Sequence, residues 1–202
     1  MFHSRVPALG VLIVAALTAL AGCVPREAIL ESFDARMAEF QPDTLCAADV
    51  VVTFVDMREG MEDRPLRIPR ISFPGQRDEV TPPLTEDLQA LVREEVDRLV
   101  RPGSESFTAE VRLFEGRKTF DSSMRGERET ARWALALTLT GEDGASSGAG
   151  EVELSTTSID VSSYSTGALF RRALVYATTF GFSEAAGAVP RGGCTGSDVE
   201  GG

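Results

Sequence analysis

A strict two-residue alternation runs through residues 131–140 of this chain. The positions of the apolar set are Ala131, Trp133, Leu135, Leu137 and Leu139, and between them lie Arg132, Ala134, Ala136, Thr138 and Thr140. Successive side chains of a β-strand point to opposite faces of a sheet, so this spacing predicts a strand buried on one face. The chain must therefore form a sheet and supply something that covers one side of it.

Several other segments are expected to extend this sheet. Residues 107–114 alternate in the same way, and residues 117–124 are a weaker strand candidate. The Gly-rich residues 141–150 predict a flexible hairpin loop, after which residues 152–159 return as an antiparallel partner.

Two earlier segments also have an extended character. Asp49–Met57 is rich in β-branched residues and predicts a strand buried on both faces or nearly so. Residues 66–73 predict an extended segment that Pro69 limits to an edge strand or a covering loop.

Three segments have the apolar spacing of helices. Residues 26–40 predict a helix that either packs on the core or lies on a membrane surface. Thr81 predicts the N-cap of a second helix with Pro82 at its first position, and residues 101–103 predict its end. A third helical pattern begins at Thr166 and is expected to end near Gly181.

These elements together predict an α+β fold. We expect a two-layer sandwich in which one antiparallel or mixed sheet, of about four or five strands, is covered by about two or three helices. Residues 26–182 are expected to form a single α+β domain, and residues 183–202 a Gly-rich C-terminal tail.

The N-terminal segment indicates where the protein resides. Arg5 precedes an apolar run, Val11–Leu20, that is too short to span a bilayer. The tetrad Leu20-Ala21-Gly22-Cys23 follows and resembles the lipobox of bacterial lipoprotein precursors. An ordinary secretory signal or an N-terminal anchor is the alternative interpretation.

The lipobox resemblance implies specific processing of the N-terminus. Residues 1–22 would be the signal peptide, cleaved between Gly22 and Cys23, and Cys23 would carry the diacylglycerol and acyl chains. Residues 23–25 would then form a short tether that keeps the domain near its membrane. Because Val24 follows the cysteine, the resemblance implies delivery to the periplasmic face of the outer membrane.

The charge of the mature chain narrows the classes of partner. Removal of residues 1–22 leaves 19 basic and 31 acidic residues, a net charge of −12. So acidic a chain is not expected to bind nucleic acid or an anionic membrane surface. Its acidity is expected to serve solubility or to pair with a basic partner.

Histidine is absent from the expected mature chain. The sole histidine, His3, lies in the signal segment. This excludes Ser-His-Asp and Cys-His catalysis, His-ligated zinc or non-haem iron sites, and a histidine pH switch. We expect no cofactor and no metal site.

Cys46 and Cys194 remain as a candidate disulfide in a compartment that permits such bonds. The closed loop would contain 149 residues, counting both cysteines, and would be worth roughly 5 kcal/mol in the chain-entropy model. Two separate thiols are the alternative, and the absence of a Cys-x-x-Cys spacing argues against a redox role.

Other polar clusters are candidate catalytic or binding sites. The acidic cluster Asp56, Glu59, Glu62 and Asp63 could bind calcium or act as an acid/base pair, but its irregular spacing and interspersed arginines favour a solvated turn. Residues 141–150 precede a predicted strand, whereas a phosphate loop precedes a helix. A glycosidase-like carboxylate pair could be drawn from Glu105, Glu110, Glu127 and Glu129, whereas the serines of residues 155–165 lack a nucleophile motif.

No catalytic constellation emerges, so we expect a protein that is not an enzyme. The layout of residues 26–180 is similar to that of small α+β envelope lipoproteins that serve as accessory subunits, which implies a non-catalytic interaction module with an envelope protein partner. One alternative is an amphiphile-binding domain in which Trp133 and its neighbouring leucines line a groove, although a packed core is the favoured interpretation of those residues. A carboxylate-dependent hydrolase is the second alternative.

Overall fold

The computed structural model describes residues 37–158 and 164–189, without the side chains of residues 157–158 and 164–166. Residues 37–39 are helical and belong to a separate compact unit that ends at Glu39. The fold below is that of the second unit, which begins at Phe40. The signal segment, the lipidation site Cys23, most of the predicted helix 26–40, and Cys194 lie outside the described residues.

A single mixed sheet of five strands dominates this unit. Its strands are β1 (Leu45–Asp56), β2 (Arg77–Val80), β3 (Val100–Ser123), β4 (Gly126–Gly141) and β5 (Gly144–Ser158). The spatial order is β1-β3-β4-β5, and β2 also pairs with β3, beyond the end of β1. The β1–β3 pair is parallel and the others are antiparallel.

Two described helices cover one face of this sheet. They are α1 (Glu86–Leu99), which connects β2 to β3, and α2 (Tyr164–Ala188), which packs on β4 and β5. The predicted α+β sandwich is therefore confirmed. The alternating apolar residues of β3 and β4 point toward the helices and are buried, as the period-two pattern predicted.

Glycines allow α2 to approach β5 very closely. A Cβ atom built at Gly150 would overlap the carbonyl oxygen of Ala177 and lie 2.6 Å from the carbonyl carbon of the same residue. At Gly148 a Cβ atom would lie 2.6 Å from the backbone nitrogen of Ala185. Helix and strand backbones are therefore in direct contact along this seam, which leaves no room for side chains on the strand.

The start of α1 differs from the sequence-based prediction. The helix begins at Glu86 with Thr85 as its N-cap, whose hydroxyl accepts a hydrogen bond from the Leu88 N–H at 3.4 Å. Thr81 and Pro82 lie outside it. The residue before a proline avoids the α conformation, and Pro83 follows Pro82, so the helix cannot start there.

The strands around α1 match their predicted bounds only in part. Residues 66–73 form a loop, one of the two alternatives predicted for them, and the short β2 lies at residues 77–80. Strand β3 begins at Val100 and continues through Pro102, Gly103 and Gly116, so residues 117–124 are not a separate strand. The pairings of β3 with β1 and with β4 each contain a register shift, which accommodates these proline and glycine residues.

Three further expectations need correction. Strand β1 lies at the edge of the sheet that the described strands form, and the described helices cover only one of its faces, so it is not buried on both; Val51 is 54% exposed. The β4–β5 connection is a two-residue turn between Gly141 and Gly144 rather than a long flexible loop. Helix α2 continues to Ala188, so residues 183–188, which we expected in the tail, are helical.

Candidate interaction surface

Arg58 occupies a buried position directly after β1. Its Nε and Nη2 atoms donate hydrogen bonds to the Asp56 carboxylate at 2.8 and 2.7 Å, and Nη1 donates to the Pro82 carbonyl oxygen at 3.0 Å. These bonds hold the pKa of Asp56 below its ordinary value, with desolvation opposing the shift. A carboxylate held in its charged form is poorly suited to serve as a general acid.

The Arg58 guanidinium also stacks on the only tryptophan. Its carbon lies 5.0 Å from the ring centroid of Trp133, within cation–π range. Gly116 makes room for this contact, because a Cβ atom there would lie 2.5 Å from both Arg58 Nη1 and Trp133 Cζ3.

Helix α2 completes this stack from above. The Trp133 indole N–H donates to the Phe170 carbonyl oxygen at 2.9 Å, and the two rings lie 4.6 Å apart. Lys118 Nζ lies 5.2 Å from the Phe170 ring centroid, and desolvation lowers the pKa of Lys118. Trp133 is fully buried in this stack, so the core interpretation is confirmed and Trp133 lines no open groove.

The predicted acidic cluster does not form one site. Asp56 is engaged by Arg58, whereas Glu62 forms an ion pair with Arg64, whose Nη1 also donates to Asp78 at 2.8 Å. Glu59 and Asp63 are exposed. Within residues 37–158 and 164–189, no group of three or more potential metal-ligating side chains comes together.

The four glutamates considered as a catalytic pair are also dispersed. Toward one end of the sheet, Glu105 accepts a hydrogen bond from the Glu142 N–H at 3.0 Å, and Glu110 forms an ion pair with Arg112. Glu127 and the fully buried Glu129 lie toward the other end.

Cys46 lies in β1 opposite Arg101, with Gly103 close to its backbone. Its predicted partner Cys194 is outside the described residues, so the disulfide stays a prediction. Among the described helices none is long and apolar enough to cross a membrane.

A cavity of about 230 Å³ opens beside the β4–β5 turn and the end of α2. Glu105, Asp143 and Ser146 contribute polar groups to its lining. Pockets for drug-sized ligands usually start at about 300 Å³ and are mainly apolar. This cavity does not resemble an acyl-chain site.

The face of the sheet that the described helices leave uncovered carries ion pairs in both of its halves. Near β2, Arg132 contacts Glu115 at 3.0 Å as well as Glu151, and Arg117 contacts Glu79 at 3.2 Å. Near β1, Glu110 and Arg112 of β3 form an ion pair opposite Thr53 and Val55. The side chains of β1 itself at residues 50–55 are uncharged.

Sequence reasoning missed the burial of Arg58. The local sequence predicts this arginine to be one of the charges in a solvated turn. The one sequence signal is Gly116, a glycine inside a strand, which indicates that another group approaches the sheet closely there. No local pattern shows that this group is Arg58 or that it also contacts Trp133.

Comparisons with known proteins identify a structural resemblance. No family model and no curated protein matches this chain. Among solved structures, the chain is similar to the crystal structure of protein XCC0632 from Xanthomonas campestris, which carries the family designation DUF330. The identity is 17% and the TM-score 0.42, and the match covers 72% of this chain and 88% of that one. We therefore infer the function from the contacts and surfaces of this chain.

Proposed function

We propose that the protein is a non-catalytic, lipid-anchored envelope module that binds a partner protein by strand addition at the free edge of β1. The observation that carries the proposal is that no strand among the described residues pairs with the outer edge of β1 along its uncharged run at residues 50–55. The anchor is proposed from the lipobox resemblance at Leu20–Cys23, with acylated Cys23 holding the protein at the outer membrane.

The edge of β1 lacks the features that normally discourage strand pairing. In a parallel pair, backbone groups that do not bond to the neighbouring strand point outward, and here no described strand pairs with them. Residues 50–55 contain no charge, no proline and no glycine. Natural edge strands are usually protected by such residues, so an unprotected edge of this length is a template for another strand.

Side chains on β1 specify what such a strand would carry. Phe54 faces the helices, where the Arg93 guanidinium lies 5.0 Å from its ring centroid, and Val51 is exposed on the opposite face. Asp49 precedes the uncharged run, and Asp56, which Arg58 already engages, ends the strand. An extended partner segment with small apolar residues in its centre and a basic residue beside Asp49 would complement this edge.

Site-specific photo-crosslinking in cells tests the proposal. We expect a crosslinker at Thr53 to capture one envelope protein and a crosslinker at Arg171, exposed on α2, to capture none. A Val51→Lys substitution should abolish capture, because a lysine at the edge opposes strand addition.

The matched control is Thr108→Lys. Thr108 is exposed, lies opposite Val51 in the β1–β3 register, and sits on an interior strand. The Thr108→Lys variant should still capture the partner if the edge of β1 is the binding element. Equal loss in both variants would mean that the sheet face binds the partner, and unchanged capture in Val51→Lys would refute edge binding.

Neither alternative function is favoured by the described residues. The cation–aromatic stack of Arg58, Trp133 and Phe170 fills the interface where an apolar cleft would have to lie. A hydrolase that uses Asp56 would have to recruit a carboxylate already bound by two hydrogen bonds from the Arg58 side chain.

A further inference from the structure

The three most exposed large apolar side chains of the described residues lie at one end of the sheet. Ile71 is 75% exposed, Phe73 64% and Met124 89%. Ile71 and Phe73 belong to the loop before β2, and Met124 belongs to the turn between β3 and β4. We call these three side chains the apolar tip.

Hydrogen bonds join the two segments that form the apolar tip. The Gly75 N–H donates to the Ser122 carbonyl oxygen at 2.7 Å, and the Ser122 N–H donates to the Gln76 carbonyl oxygen at 2.8 Å. The Gln76 side chain accepts a hydrogen bond from the Phe73 N–H at 2.8 Å. Gly75 has a φ of +89°, which favours glycine at this turn. The exposure of Phe73 therefore arises in a hydrogen-bonded loop.

Arginines without carboxylate partners surround the apolar tip. Arg70, Arg125 and Arg128 are exposed and form no ion pair within the part of the chain that the structure describes. Elsewhere on the sheet, arginines such as Arg117 and Arg132 are paired with glutamates. Three cations without carboxylate partners thus lie in or beside the two segments that form the apolar tip.

The local charge is opposite in sign to the charge of the whole chain. Arg77 is paired with Glu79, and the other charged residues of 70–77 and 121–128 are three arginines and two acids, a net charge of +1, whereas the chain as a whole carries −11. Salt screens exposed charges beyond about 8–10 Å, so a surface at the tip responds chiefly to the local arginines. Net charge therefore does not exclude an anionic surface at this place.

We propose that the apolar tip inserts into the headgroup region of an anionic phospholipid bilayer, with the surrounding arginines contacting lipid phosphates. Apolar side chains ringed by cations suit the bilayer interface, where the former enter the acyl boundary and the latter stay among the headgroups. A stable protein interface needs about 800 Å² per partner, which three side chains at a hairpin end do not supply.

Depth-dependent fluorescence quenching tests the insertion. The full lipidated chain carrying Phe73→Trp is reconstituted into phosphatidylglycerol-containing vesicles with brominated acyl chains. Trp133 is fully buried and supplies a constant background. We expect at least a twofold loss of the added emission, relative to unbrominated vesicles. The control Phe114→Trp, at a side chain 54% exposed in the middle of β3, should lose none.

A charge variant separates lipid binding from unspecific contact. Arg125→Glu combined with Arg128→Glu should reduce quenching of the Phe73→Trp emission by severalfold, whereas Arg171→Glu on α2 should not. Unquenched emission from Phe73→Trp, or equal quenching of Phe114→Trp, would overturn the proposal. So would protection of Phe73→Trp only when an envelope protein is added, since that would assign the tip to a protein partner.

This outcome is independent of the β1 edge. If the tip fails to insert while the crosslinker at Thr53 still captures its partner, the interaction module stands without the membrane contact. Insertion without capture would leave only the tip proposal in place.

Discussion

The seam between α2 and β5 offers the sharpest test of the packing. Gly150→Ala adds one methyl group that would overlap the Ala177 carbonyl oxygen and lie 2.6 Å from the Ala177 carbonyl carbon. Carbon atoms prefer separations of about 3.5–4.0 Å, so α2 must retreat by about 1 Å along the seam. Overpacking of this kind costs about 1–3 kcal/mol, more than the 0.4–1 kcal/mol or so that alanine gains by restricting the unfolded chain.

We therefore expect Gly150→Ala to lower the free energy of unfolding by about 1–3 kcal/mol. For a chain of this size that corresponds to a fall of roughly 2–12 °C in melting temperature. Trp133 is the only tryptophan and hydrogen-bonds to Phe170 on α2, so its emission reports displacement of the helix during chemical unfolding.

The control is Gly167→Ala, whose added Cβ atom meets nothing within 4 Å. It lies in α2, where alanine is favoured over glycine by up to about 1 kcal/mol, so stability should rise or stay unchanged. If Gly150→Ala unfolds within about 0.5 kcal/mol of the parent and keeps the same Trp133 emission, the close approach of helix and strand is refuted.

Three further substitutions have defined outcomes. Arg58→Met should destabilise the protein at neutral pH by about 1–3 kcal/mol. Its free energy of unfolding, measured by denaturant titration, should also fall less steeply than that of the parent as the pH drops below about 4. The reason is that Arg58 lowers the pKa of Asp56 in the folded state. The Arg58–Asp56 pair therefore stabilises the fold fully above the pKa that Asp56 has in the unfolded chain, and this stabilisation is lost as the pH falls through the lower pKa of the folded state. Glu95→Ala should lower the free energy of unfolding by roughly 1–2 kcal/mol, because the variant loses a buried carboxylate that accepts a hydrogen bond from Arg98 at 2.7 Å. Glu95→Gln should lower it by less, and equal losses in the two variants would contradict this. For the proposed disulfide between Cys46 and Cys194, reductant should lower the melting temperature of the parent but not of Cys46→Ser, and identical parent curves would refute the bond.

The buried face of the sheet could be predicted from local sequence. The alternation at residues 131–139 identified the core face of β4, because the two-residue period depends only on neighbouring residues of one strand. Helix bounds were less predictable. The start of α1 depended on Pro83 and on the Thr85 cap, which compete locally with the stronger-looking signal at Thr81 and Pro82.

The position of β1 could not be predicted from its composition. Its β-branched run suits a central strand, but the long β3 takes β1 as a parallel neighbour at one edge of the sheet. Strand order depends on contacts between residues far apart in the chain, and the same apolar run is compatible with either location.

The sequence by itself determined the α+β class, the core face of β4, and the lipobox from which the envelope address is proposed. Tertiary structure alone decided that Arg58 is buried against Trp133, that β1 has a free edge, and that Phe73 and Met124 share one tip. The physical reason is range: periodicity and caps are set by residues a few positions apart, whereas burial, edges and clusters form only when distant segments pair. The interaction surfaces belong to this second class.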